Sequence, residues 1–85
     1  MSPFYVSVLL TLLIGGDPLT RWMESDRVFT TLAECQQQMT AHLSELHESV
    51  AKQFAGQEYA VQEFACLTLG EVTRRNATLA EQMGT

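Results

Sequence analysis

From Leu32 to Phe54 apolar residues recur at steps of three and four: Leu32, Cys35, Met39, Leu43, Leu46, Val50 and Phe54. A mean step of about 3.7 residues marks one amphipathic helical stripe about six turns long. Such an element draws most of its stability from what its stripe packs on, so it dictates that other segments fold against it. Thr31-Leu32-Ala33-Glu34 fits a capping box: the Thr31 hydroxyl accepts from the N–H three residues on, and Glu34 reaches back to the cap. Glu34, Ala41, Glu45, Glu48 and Lys52 fall on the opposite face. Glu48 and Lys52 stand in the favourable i,i+4 order. Gly56 is the natural stop. The spacing therefore predicts a single helix over 31–55.

The two cysteines bear on what packs against it. Cys35 lies on the stripe and Cys66 in the next strongly apolar stretch, and two cysteines permit one intramolecular bond. Bonding them pins the chain after Gly56 back onto the first turns of the helix. Closing a loop of that length stabilises by roughly 3–4 kcal/mol in the chain-entropy view. A chain of 85 residues has little burial to spare, so a staple of that size matters.

Phe4 to Ile14 is an uncharged apolar run followed by Gly15-Gly16 and Asp17-Pro18. As a helix, Phe4–Gly16 would be ~20 Å long, short of a ~30 Å hydrocarbon core. That length predicts a signal peptide over residues 1–16, with a retained membrane anchor as the alternative, although no Lys or Arg precedes the run. Its lack of period-2 alternation makes a strand the least attractive soluble reading. Residues 17–85 then form one small domain. Arg21–Phe29 alternates imperfectly and reads as a short strand, with Phe29 placed to pack back on the helix start. Residues 58–68, rich in aromatic and β-branched side chains, read as a returning strand, and a second helix stays open. After Gly70, Val72, Leu79 and Met83 form a weak helical set, so 70–85 is a short helix or a frayed tail. The expected class is α+β: signal or anchor segment, short strand, long helix, returning strand. The alternative is an all-α helical hairpin.

Several functions are excluded or left without support. A net charge of −5, with Arg74-Arg75 the only adjacent basic pair, gives no nucleic-acid footprint. His42 and His47 are five residues apart and cannot share a helix face, so no two-histidine metal site forms on that helix. Ser44, His47 and Glu48 point in different directions and form no relay. Gly15-Gly16 is no phosphate loop, and no cofactor motif is present. Asn76-Ala77-Thr78 matches the glycosylation sequon, which counts only in a eukaryotic secretory pathway. No catalytic, cofactor or metal residues are expected, and the chain reads as non-enzymatic.

Phe29-Thr30-Thr31, Cys35 and Phe64-Ala65-Cys66 resemble a pattern in a broad set of small exported proteobacterial proteins of unknown function. In those a short strand leads into an F-x-[ST]-x-x-x-C helix start, and a returning segment ends in a second cysteine. The resemblance covers about Val28–Leu67. It implies a β-α-β or helical-hairpin unit with one disulfide and no known catalytic residues. This chain departs from the pattern in lacking a basic leader and in its long tail after Cys66.

The expectation is thus a small exported, periplasmic or envelope-associated interaction domain stapled by Cys35–Cys66. Its partner would be a protein or a second copy, held on uncovered parts of the stripe at Leu32, Met39, Leu43, Leu46, Val50 and Phe54. Membrane contact would come only through residues 1–16. The alternatives are a tethered accessory or phage-type envelope subunit using the helix as a coiled coil, a thiol redox protein, and a cytoplasmic protein with reduced cysteines.

Overall fold

A computed structural model describes residues 2–83, apart from the side chain of Met83. Phe4–Ile14 is β1, a strand paired antiparallel to β2 (Asp17–Phe29) on one side and to β3 (Tyr59–Leu67) on the other. The sheet order is β2-β1-β3. An eleven-residue strand spans about 33 Å, comparable with the 38 Å longest extent of the molecule.

This corrects the reading of residues 1–16 as a signal or anchor segment. The run lacks alternation because β1 is covered on both faces, and such strands read as continuous apolar stretches. On one face Val6, Leu10 and Leu12 are buried under the middle helices; on the other, Leu9 packs with Trp22, Leu67 and Val72. Val6 is 2% exposed and Leu10 fully buried, and each such side chain contributes roughly 1.5–3 kcal/mol by leaving water. Met1 lies outside the described residues.

Gly15 and Gly16 carry φ of +60° and +87° between the closing pair Ile14 and Asp17. Two positive φ values in a two-residue connection match the twist of antiparallel strands, which is why glycines stand here. The short strand expected over 21–29 is the greater, C-terminal part of the thirteen-residue β2.

The single helix expected over 31–55 is two: α1 (Leu32–Ala41) and α2 (Leu43–Gln53). His42 breaks it with φ −122° and ψ 28°, sharing its N–H between the Gln38 and Met39 carbonyls. The sheet beneath supplies a reason. Cys35 is bonded to β3, whereas Val50 and Phe54 sit over Leu10 and Leu12 of β1. A straight helix of six turns departs from a twisted sheet, and the bend keeps both halves seated. Gly56, at φ +84°, turns the chain just beyond Phe54.

The returning segment is a strand, which excludes the all-α hairpin. The stretch expected as a short helix or frayed tail is α3 (Leu69–Met83), fifteen residues packed on the sheet's reverse face. Thr68 and Glu71 start it with a reciprocal capping box: the Glu71 N–H donates to the Thr68 hydroxyl, and the Thr68 N–H donates to the Glu71 carboxylate. The side chain of Met83, one member of the expected set, lies outside the described residues, as do Gly84 and Thr85. Three layers result: α1 and α2, the sheet, and α3. No described helix is long and apolar enough to cross a membrane.

Candidate functional site

Cys35 and Cys66 are joined as a disulfide with α-carbons 6.0 Å apart. Cys35 is fully buried, in a cluster with Val6, Leu46 and Cys66 against which Phe29 and Met39 pack. Both sulfurs are consumed in the bond, and the described residues contain no free thiol. The redox reading therefore has no accessible thiolate to work with. Thr31 caps α1, its hydroxyl accepting from the Glu34 N–H at 3.2 Å.

The stripe proposed as partner-facing divides. Leu46, Val50 and Phe54 are buried against the sheet, Met39 is half-buried, and Leu32 and Leu43 remain exposed. Leu32 opens α1 and Leu43 opens α2, with the length of α1 between them, so they make no continuous face. The coiled-coil alternative keeps only part of that seam, because Leu46, Val50 and Phe54 already face the sheet.

The polar candidates are spent locally. His42 Nδ1 lies 3.5 Å from the Glu45 carboxylate, which also meets Arg27 at 3.4 Å. The His47 and Phe64 rings stand nearly perpendicular with centroids 5.0 Å apart. The described residues hold no group of three His, Cys, Asp or Glu placed to bind a metal ion. Trp22 is buried, with the Arg75 guanidinium 5.2 Å from its ring centre. The Asn76 carboxamide, the sequon's acceptor, is committed to the Trp22 main chain. The Glu71 carboxyl is held below its ordinary range, first by the Thr68 N–H, opposed by partial desolvation, then helped by the Thr68 hydroxyl and by Arg75 and Arg74. Capping accounts for that shift, and it marks no reaction centre.

What remains is the end of the β1–β2 hairpin. Every residue from Leu13 to Leu19 is exposed. Leu13, Ile14 and Leu19 expose 47%, 58% and 36% of their surface, the densest run of exposed large apolar side chains in the described chain. The register sets Leu13 opposite Pro18 and Leu12 opposite Leu19, so both faces of the tip are apolar. Its base is rigid. Leu12 packs under Val50 and Phe54, the Leu13 N–H donates to the Glu58 carbonyl, and the Thr11 and Thr20 hydroxyls are 2.8 Å apart across the strands. A groove of about 670 Å³ starts beside Ile14 and Leu19 and passes Trp22 to Val72 and Asn76 on α3. Such a tip offers apolar burial to a partner and brings no reactive group to it.

Sequence reasoning missed this tip because it assigned the residues to a leader. The available signal was Gly-Gly between two apolar runs followed by Asp-Pro, a hairpin connection as readily as a cleavage region. No family model, curated protein or solved structure matches the chain.

Proposed function

We propose that this is a non-enzymatic protein-interaction domain of an oxidising compartment outside the cytosol, holding a protein partner on its β1–β2 hairpin tip. The observation that carries it is the exposure of Leu13, Ile14 and Leu19 on a tip braced at its base. Single exposed apolar residues are ordinary, but a contiguous group at one end of a small domain fits a contact surface. The Cys35–Cys66 bond supports the compartment, since structural disulfides persist where thiols are not kept reduced. The same bond supports envelope residence, with Phe4–Ile14 placed in the sheet. The non-enzymatic reading rests on the residues themselves: bonded cysteines and two histidines engaged in surface contacts.

The test is site-specific photocrosslinking in cells that produce the protein. A photoreactive residue replaces Ile14 in one variant and the exposed Gln37 of α1 in another. The expected result is a discrete protein adduct from position 14 and none from position 37. Adducts shared by both positions, adducts to lipid alone, or none from position 14 would overturn the assignment.

A further inference from the structure

We infer that the free outer edge of β3 is a docking site for an extended, basic segment of a partner protein, which adds to the sheet as a fourth strand. This goes beyond the hairpin tip and does not rest on it. A three-stranded sheet has two outer edges, and here they are treated differently. The β2 edge is blunted by Pro18 and by the charges of Arg21, Glu24, Asp26 and Arg27, while each outer strand carries one register irregularity. Asn76 also occupies it, taking both main-chain groups of Trp22. These are the devices by which proteins keep an edge from pairing.

The β3 edge has neither proline nor a covering strand along Tyr59–Leu67. Its main-chain direction follows from the register. Trp22 turns its N–H and C=O outward to Asn76, so its partner Leu9 turns its own toward β3, where it faces Glu63. Alternation on either side of the bulge at Gln62 then leaves the N–H and C=O groups of Val61 and Phe64 pointing away from β1. These groups ask for an extended backbone, the requirement met by strand addition.

Charge selects the occupant. Neither β3 nor α1 contains Lys or Arg, whereas Glu58 and Glu63 stand in or beside β3 and Glu34 in the first turn of α1. A second copy would bring the same acidic edge and a second net charge of −5. A segment alternating basic with apolar or β-branched residues places its charges opposite Glu58 and Glu63, where opposite-charge cross-strand pairs are favourable.

The experiment uses the full, oxidised chain with uniform nitrogen-15 labelling. Two nine-residue peptides are titrated in: lysine alternating with valine and threonine, and its glutamate counterpart. The expected result is saturable shifting of amide signals within Tyr59–Leu67 by the lysine peptide, with binding about fivefold or more weaker for the glutamate peptide. Glu63→Lys weakens the lysine peptide about twofold to fivefold. Val61→Pro abolishes the response while the β1 and β2 amides keep their positions. Should Val61→Pro unfold the chain, Glu63→Lys decides. Equal response to both peptides, response centred on Leu13–Leu19, or no response within β3 overturns the proposal. Crosslinking from position 14 is unaffected by any of these results, so the two assignments fail separately.

Discussion

Asn76 on α3 and Trp22 on β2 exchange two hydrogen bonds: the Trp22 N–H donates to Asn76 Oδ1 at 2.6 Å, and Asn76 Nδ2 donates to the Trp22 carbonyl at 2.9 Å. A side-chain amide has the donor and acceptor of a peptide group, so Asn76 stands where a neighbouring strand's main chain would. The pair fixes the axial position of α3 on the sheet at a residue 5% exposed.

Asn76→Ala therefore strands a donor and an acceptor of a buried residue. The expected cost is about 1–3 kcal/mol, read as a lower urea midpoint with an unchanged slope. Asn76→Asp keeps the acceptor and loses the donor, setting a carboxylate against the Trp22 carbonyl. It should be the more damaging at neutral pH and recover partly as the carboxyl protonates.

Replacing Cys35 and Cys66 together by alanine removes a constraint across 31 positions of sequence. The chain-entropy model gives a loss of roughly 3–4 kcal/mol. Thermal unfolding of the variant should match that of the reduced wild type, since both lack the same crosslink. If the variant and the oxidised wild type unfolded together, the clamp would have no energetic role.

Glu71 ties stability to pH. Its folded pKa is depressed, so the native state holds its proton less tightly than the unfolded chain does. The contribution is present above the unfolded carboxyl pKa and is lost as pH falls through the folded value. Glu71→Gln should cost about 0.3–1 kcal/mol at pH 7, the scale of a charge at a helix N-terminus. The difference between wild type and variant should narrow steadily in denaturation series taken down through the acid range.

The hairpin connection gives a prediction of opposite signs at adjacent positions. An added Cβ at Gly15 or Gly16 meets nothing within 4 Å, so only backbone conformation matters there. Gly15→Asn should be neutral or mildly stabilising, because asparagine followed by glycine suits this turn. Gly16→Val should cost about 1–2 kcal/mol by forcing a β-branched residue to positive φ. Equal effects on the melting temperature would reject the turn assignment.

Legibility in the sequence followed the locality of the signal. Thr31 capping α1 was readable from a short spacing, the segment 58–68 as a strand from its composition with a helix left open, and the Cys35–Cys66 bond from the presence of two cysteines. The helix break at His42 was not, since the stripe runs through it undisturbed and the bend answers to a sheet built from segments distant in sequence. β1 failed for a related reason. A strand buried on both faces has no alternation, and its length overlaps that of an export signal. Thr68-Leu69-Gly70-Glu71 carried the same box as Thr31–Glu34, but the glycine inside it read as punctuation. The exposed tip could be seen only once Phe4–Ile14 had become a strand.

That placement of Phe4–Ile14 is the premise on which the sheet, its free edges and the hairpin tip all depend. Residue-resolved amide hydrogen exchange on the oxidised protein addresses it directly. Paired on both sides and covered on both faces, the Val6–Leu12 amides should be among the slowest in the chain, opening only with global unfolding. Rapid exchange across Val6–Leu12, with protection confined to residues 31–83, would contradict the account.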